Sequence, residues 1–275
     1  MLKDLLKTKE TILIPGVYDA LSALIAKQVG FNALYMSGFG VAGSLLAKPD
    51  IGLVTASEMI ERAGQIVSSV GDTAVIADGD NGYGGEHNVA RLVSAYEQAG
   101  VQAIQLEDQV SPKRCGHMEN KQVVELGEAV AKISMAIKTR TSDQFLVVAR
   151  TDSRATHDLK EALRRGEAFL TAGADILFIE APQSIEEMTI IKNEFPDVVL
   201  VANMVEGGKT PVLGVNDLAD LGFQIVLRPV TALLSVSRAL QQCYSALAGT
   251  GKAQQTSELL TFDEYNDLIG LSDYT

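Results

Sequence analysis

The sequence predicts a (β/α)8 barrel, an α/β fold in which eight parallel strands are ringed by helices. Three observations carry that prediction. Eight short apolar, mostly β-branched runs alternate with helical segments along the chain. Parallel strands covered on both faces read as near-continuous apolar runs, as these do. Acids and arginines recur where the runs end, and barrel active sites are built at the C-terminal ends of strands. A doubly wound open sheet is the competitor. It has fewer repeats and a Gly-x-Gly-x-x-Gly turn after its first strand, which is absent here.

The first run is Thr11-Ile-Leu-Ile-Pro-Gly16, followed by a helix from Asp19 to Gly30 with Leu21, Leu24, Ile25 and Val29 at helical spacing. Ala33 to Gly38 is the second run, and a glycine-rich segment, Phe39 to Gly43, follows it. Thr55 to Val70 reads as a helix opened by a capping box of Thr55 and Glu58. The third run, Ala74 to Asp78, precedes a helix from Glu86 to Gly100. The fourth, Ala103 to Glu107, leads through a cysteine loop to a helix from about Val123 to Thr139. The fifth ends at Arg150, with a helix from Leu159 to Gly173; the sixth ends at Glu180, with a helix from Ser184 to Phe195. The seventh, Val198 to Asn203, precedes a short helix near Val215 to Leu221. The eighth, Gln224 to Arg228, leads into a long helix from Thr231 to about Ala248. The expected organisation is one barrel domain over residues 1–275, with 249–275 as a helical extension.

The chain has 275 residues, 47% of them hydrophobic, enough for one large core. No apolar run reaches the roughly 18–20 residues of a membrane span. The charged N-terminus, Met1 to Lys7, does not read as a secretory signal. Two distant cysteines with no such signal point to a reducing compartment, so a cytoplasmic protein is expected. The net charge of −12 argues against nucleic acid or anionic membrane as partners. It does not exclude a small anionic substrate, because a local site can be positive.

The stretch Ala74 to His117 holds the chemistry. Asp78 and Asp80 follow the third run and Glu107 and Asp108 end the fourth. Grouped carboxylates suit a hard divalent cation such as Mg²⁺. The pattern Asp-x-Asp-x-Gly also opens a calcium loop, but the bidentate Glu near that loop's end is missing. With Glu107 and Asp50 near in a barrel, Mg²⁺ is the better reading, several ligands acting through water. Cys115 lies in Pro112-Lys-Arg-Cys-Gly-His117. A lone cysteine is more often a buried small hydrophobe, but cationic neighbours favour its thiolate and suit it to move a proton. Cys243, among Leu240, Tyr244 and Leu247 on a helix, reads as core packing. Glu206-Gly-Gly-Lys-Thr210 could cradle a phosphate or be a glycine turn at the wall of the site.

Tyr35-Met-Ser37-Gly38, Asp78 to Gly84, Glu107-Asp-Gln109, Lys113 to His117, Ala149-Arg-Thr-Asp152, Glu180-Ala181 and Asn203-Met204 together resemble the isocitrate lyase/phosphoenolpyruvate mutase superfamily. Nearly the whole chain shares the likeness. It is closest to the branch of the petal death protein and the 2,3-dimethylmalate and methylisocitrate lyases. The resemblance implies a (β/α)8 barrel whose last helix swaps between subunits in a homotetramer, with Mg²⁺, or Mn²⁺ in its place, at the site. It implies a carbon–carbon lyase, because the Lys-Arg-Cys-Gly-His loop marks lyases rather than phosphonopyruvate-type phosphomutases. Methylisocitrate lyases carry arginines where this chain aligns Leu234 and near Phe262. Without them the third carboxylate of a tricarboxylate would go poorly paired. The expected substrate is therefore a substituted malate, such as 2,3-dimethylmalate or a 2-alkylmalate, cleaved to a 2-oxoacid (pyruvate) and a carboxylic acid. The alternatives are oxaloacetate acetylhydrolase, 2-methylisocitrate lyase or a phosphonopyruvate-type phosphomutase, and Pro229 stands where the oxaloacetate-hydrolysing relatives carry Ser. The resemblance implies Asp78, Asp80, Asp50 and Glu107 at the metal, and Cys115 as general acid with His117 in the same loop. It implies Tyr35 as a candidate base, and Arg150, Glu180 and Asn203 orienting the substrate or stabilising charge. Ser37, Gly38, Phe39 and Gly116 would line the substrate, the first three offering N–H groups to its carboxylate.

Overall fold

Each of the eight runs forms a strand in the computed structural model of the protein, which describes residues 1–116, 118, 120–251 and 259–274. The strands are β1 (Ile12–Val17), β2 (Ala33–Met36), β3 (Ala74–Asp78), β4 (Ala103–Glu107), β5 (Leu146–Thr151), β6 (Ile176–Ile179), β7 (Val199–Asn203) and β8 (Ile225–Arg228). They pair in parallel and in chain order, and β8 returns to β1, with Ile12 opposite Ile225 and Pro15 opposite Arg228. Closure removes the open-sheet competitor.

The helices are α1 (Leu2–Lys7), α2 (Ala20–Val29), α3 (Gly38–Val41), α4 (Ala56–Val70), α5 (Glu86–Gln98), α6 (Leu126–Thr139), α7 (Ser153–Thr156), α8 (Leu159–Thr171), α9 (Ile185–Glu194), α10 (Val215–Asp220), α11 (Thr231–Thr250) and α12 (Phe262–Leu268). Local chemistry sets their ends. The Thr55–Glu58 capping box is present, and Asp19, Asp158 and Ser184 accept N–H groups from the first turns of α2, α8 and α9. Gly30 ends α2 with φ of +107°, a conformation that glycine adopts without a Cβ clash.

Three helical pieces do not stand out in the sequence. The glycine-rich segment after β2 forms α3 and then a π-helical turn, Ala42–Leu46. α7 is a single turn after β5. α1 is too short for periodicity to declare itself. Its Leu2 and Leu6, one turn apart, are buried against Ile14, Ala33, Ala74, Ala103, Leu146, Ile176 and Ile225, closing the barrel at the N-terminal ends of the strands. α6 starts at Leu126 rather than Val123, because Val123 bridges to Gln109 and the Val124 N–H donates to the Asp108 carbonyl.

The chain packs as two compact units, Met1–Thr231 and Ala232–Thr275. Sequence reading drew a boundary at residue 249; these units divide at the head of α11 instead. No residue of α11 is buried, and Cys243, expected in a core, is half-buried. Among the described residues no helix is long and apolar enough to cross a membrane.

Candidate active site

The acids predicted at the strand ends meet at the C-terminal mouth of the barrel. Asp78 ends β3, and its Oδ1 accepts the Asp80 N–H at 3.1 Å while its Oδ2 accepts the Gly38 N–H at 3.1 Å. A Cβ on Gly38 would lie 2.8 Å from Asp78 Oδ2 and 3.3 Å from Asp80 Oδ1, so only glycine lets α3 begin against these acids. Asp80 and Tyr83 both adopt positive φ, +46° and +57°, and the Tyr83 hydroxyl donates to Asp80 Oδ2 at 2.8 Å. Left-handed backbone costs a non-glycine residue roughly 1–2 kcal/mol, so local stability is given up to aim Asp80. Ala181, directly after Glu180, shows the same feature with φ of +56°.

Lys113 enters this group from the cysteine loop. Its ammonium lies 2.5 Å from Asp50 Oδ1 and 2.7 Å from Asp80 Oδ1, and the side chain is 5% exposed. This corrects the expectation that Lys113 serves the thiol: its charge is committed to Asp50 and Asp80. Burial pulls the Lys113 pKa down, but Asp80, Asp50 and Asp78 together hold it well above the usual lysine value.

Arg150, on β5, forms the second half of the site. Its guanidinium pairs with Asp152 at 2.9 and 3.1 Å, with Glu180 at 3.1 Å and with Glu107 at 3.4 Å, and it lies 5.1 Å from the Phe178 ring centroid. The Asn203 amide donates to Glu180 at 3.1 Å. Asp152, Arg150, Glu180 and Asn203 thus form a continuous chain across three neighbouring strand ends.

The two halves hold too little positive charge. Asp50, Asp78, Asp80, Glu107, Asp152 and Glu180 are buried, against the buried cations Lys113, Lys121 and Arg150. Burial, with Asp80 next, pushes Asp78 up to about 6, and burial raises Asp50 and Glu107 as well, Glu107 strongly. Arg150 and Lys121 outweigh burial at Asp152 and keep it low. Glu107 Oε1 is buried with no hydrogen-bond partner among the described residues. A cluster short of cations, with oxygen donors to spare, fits a hard divalent ion. No group of three or more His, Cys, Asp or Glu side chains converges tightly enough to cage an ion among the described residues. Mg²⁺ needs no such cage, since it keeps several waters and takes one or two carboxylates. Asp78 and Asp80 fit as direct ligands, Asp50 and Glu107 as ligands through water.

The cysteine loop lies over this mouth. The Cys115 N–H donates to the Asp50 carbonyl at 3.1 Å, and Gln109 brackets Arg114, donating to its carbonyl at 2.8 Å and accepting its N–H at 3.0 Å. Gly116 rests on Arg150 and Glu180: a Cβ there would lie 2.2 Å from Arg150 Nη2 and 2.8 Å from Glu180 Oε2. The loop therefore brings Gly116 to Arg150 and Glu180, one residue after Cys115. His117 lies outside the described residues.

Tyr35 is buried, and burial and the charge of Asp78 raise its pKa well above the usual tyrosine value. Its hydroxyl hydrogen-bonds to Asp78. The Ser37 N–H donates to the Val17 carbonyl at 3.0 Å and that of Gly38 goes to Asp78, so both are engaged within the protein; Ser37 Oγ caps α3 by accepting the Gly40 N–H at 3.2 Å. Phe39, half-buried, follows in the first turn of α3. Glu206 to Thr210 forms a turn in which Gly207 takes φ of +72° and Glu206 accepts the Thr231 hydroxyl at 2.5 Å.

In the sequence Asp152 stands out only as the end of Ala149-Arg-Thr-Asp152 and Asp108 only as a neighbour of Glu107, and nothing marks Lys121. Asp108 faces away from the acids, accepting the Asp152 N–H at 2.9 Å, the Thr151 hydroxyl at 2.7 Å and Arg165 at 3.0 Å. Strand alternation could have separated Glu107 from Asp108, and it also puts Arg150 and Asp152 on one side.

The chain is similar to known proteins over nearly its whole length. The family model described as phosphoenolpyruvate phosphomutase matches residues 2–248. The chain is 45% identical over 271 residues to a 2,3-dimethylmalate lyase of Eubacterium barkeri, covering 98% of this chain and 93% of that protein. An oxaloacetate acetylhydrolase in complex with 3,3-difluorooxalacetate superposes with a TM-score of 0.95 at 33% identity, over 99% of this chain and 93% of that one. A phosphonopyruvate hydrolase in complex with oxalate and Mg²⁺ superposes with a TM-score of 0.89 at 29% identity, over 99% and 95%.

Proposed function

The chain belongs to the phosphoenolpyruvate phosphomutase family and is a carbon–carbon lyase of the isocitrate lyase/phosphoenolpyruvate mutase superfamily, and we propose that it cleaves a substituted malate, such as 2,3-dimethylmalate or a 2-alkylmalate, to a 2-oxoacid such as pyruvate and a carboxylic acid. One observation carries this reading: the loop that bears Cys115 packs its next residue, Gly116, onto Arg150 and Glu180, beside an acid cluster short of cations. That arrangement supports a 2-hydroxyacid gripped at the acids with a thiol above its departing half.

Asp78 and Asp80 would hold Mg²⁺, with Mn²⁺ as a substitute, and Asp50 and Glu107 would reach it through water. When bound, the ion supplies Lewis acidity to the substrate's 2-hydroxyl and C1 carboxylate. Ser37, Gly38 and Phe39 wall the substrate beside Asp78. A base, with Tyr35 or a group at the metal as candidates, takes the 2-hydroxyl proton, and C2 becomes the carbonyl of pyruvate or another 2-oxoacid. The electron pair of the C2–C3 bond passes to the other fragment, which becomes an enolate-like carboxylate dianion. Arg150, held in place by Asp152 and Phe178, balances that charge, with Asn203 and Glu180 orienting the fragment. The Cys115 thiol gives its proton to C3 and is left as thiolate. Closure of the loop over the mouth keeps water from the carbanion.

Among the described residues, the second unit exposes Leu234, Leu240, Tyr244 and Leu247 on α11 and Phe262 on α12. So much unburied apolar surface on a long helix supports a homo-oligomer, read here as a tetramer of helix-swapped pairs.

The test is a panel of 2,3-dimethylmalate, 2-alkylmalates, oxaloacetate and methylisocitrate with Mg²⁺, following release of 2-oxoacid. Pyruvate from a malate is expected. Oxalate from oxaloacetate, with no malate cleaved, would replace the lyase by a hydrolase. Preference for methylisocitrate would overturn the argument from the missing arginines.

A further inference from the structure

Lys121 lies five residues beyond Gly116, and its side chain is 1% exposed. Its ammonium donates to Asp152 Oδ1 at 2.5 Å and to the Gly116 carbonyl oxygen. Asp152 is 0% exposed, and its same Oδ1 accepts from Arg150 at 3.1 Å. Lys121 thus ties the main chain of the thiol loop to the Asp152–Arg150–Glu180–Asn203 chain through two hydrogen bonds. A buried ion pair is weak evidence for stability, because apolar side chains of similar size often serve as well. Its geometry is what a hydrophobic replacement could not supply.

The consequence falls on Cys115. The cysteine's own N–H is tied to the Asp50 carbonyl at 3.1 Å, and its carbonyl accepts the Met118 N–H at 2.8 Å. The next carbonyl, that of Gly116, is tied by Lys121. On its other side Gly116 is pressed against Arg150 Nη2 and Glu180 Oε2. The thiol's main chain is therefore fixed before and after the residue, and the later tether ends on the carboxylate that orients Arg150.

We propose that Lys121 is a positioning residue for the reaction: it locks the Gly116 carbonyl to Asp152, so that Cys115 is held at its proton-transfer position only when the Arg150 clamp is assembled. This rests on the proposed role of Cys115 as proton donor. Lys121 touches no reacting atom and acts through the loop.

The test uses the full chain with Mg²⁺. Iodoacetamide alkylation of Cys115, followed by peptide mass spectrometry so that Cys243 does not interfere, is timed for the wild type, Lys121→Met and Lys121→Gln, with and without pyruvate. Lys121→Met is expected to alkylate about tenfold faster, with pyruvate no longer protecting. Its kcat for the best malate is expected to fall about a hundredfold with KM nearly unchanged, the scale of a 1 Å misplacement. Lys121→Gln, which keeps a donor for the Gly116 carbonyl, should fall between. Adding Lys121→Met to Cys115→Ser should cost nothing more, since both act through one group. A fully additive loss in the double variant, or alkylation unchanged in both Lys121 variants, would overturn the proposal. If Lys121→Met does not fold, Lys121→Gln decides on the same readouts. Near-normal turnover in Cys115→Ser alone would sink the thiol's role, while alkylation would still judge the tether.

Discussion

Gly116→Ala should abolish most turnover while leaving the protein folded. The added Cβ would lie 2.2 Å from Arg150 Nη2 and 2.8 Å from Glu180 Oε2, where ordinary contact begins near 3.4 Å. Something must therefore move by about 1.2 Å. Arg150 cannot swing aside cheaply, being held by Asp152 at 2.9 and 3.1 Å and stacked 5.1 Å from Phe178. Glu180 is held by Asn203 at 3.1 Å. The loop is the softer side, and its retreat would strain the Cys115–Asp50 and Lys121–Gly116 hydrogen bonds and carry the thiol away from its target. A displacement near 1 Å costs about a hundredfold in rate, or about 2.7 kcal/mol in the barrier. The barrel strands and core are untouched, so the melting temperature should shift by less than about 3 °C. Steady-state release of 2-oxoacid gives kcat and KM, and a thermal melt reports folding. A kcat within threefold of the wild type would show that the docked loop is not the working arrangement.

Cys115→Ser should lower kcat by roughly 10²–10⁴, the range for a lost general acid, while pyruvate and Mg²⁺ still bind in calorimetry; near-normal cleavage would remove the thiol from the mechanism. Asp78→Ala should lose Mg²⁺ binding by calorimetry, and unchanged affinity would reject it as a ligand. Lys113→Met should lower the melting temperature of the metal-free protein and make added Mg²⁺ more stabilising, because Asp50 and Asp80 lose the cation between them; equal Mg²⁺ shifts in variant and wild type would refute that. For pH, Asp78 is raised from 3.8 to about 6, so the folded state holds this proton more tightly than the unfolded state. That contribution is present at low pH and is lost as pH rises through about 4 to 6, on the order of 3 kcal/mol at most. Metal-free melts should show this decline in the wild type and a weaker one in Asp78→Asn, with Mg²⁺ more stabilising at pH 7 than at pH 5; identical pH slopes would count against it.

Much of the site is legible because strands are periodic. Asp78, Glu107, Arg150 and Glu180 sit where runs end, and closing the barrel brings such ends together whatever the loops do. The same period separates Glu107, turned to Arg150, from Asp108, turned to Arg165. Loops have no period. Nothing in Pro112 to Lys121 says that Lys113 reaches back to Asp50 and Asp80, or that Lys121 joins Gly116 to Asp152. Composition likewise does not show that Tyr35 is enclosed beside the Asp78 carboxylate.

By itself, then, the sequence determines the barrel, the family and the inventory of acids, arginine and thiol at one rim, because short-range periodicity and residue order suffice for those. Only the tertiary structure decides which charge answers which. Coulomb interaction depends on distance and burial, and both arise when residues far apart in the chain share one enclosed mouth.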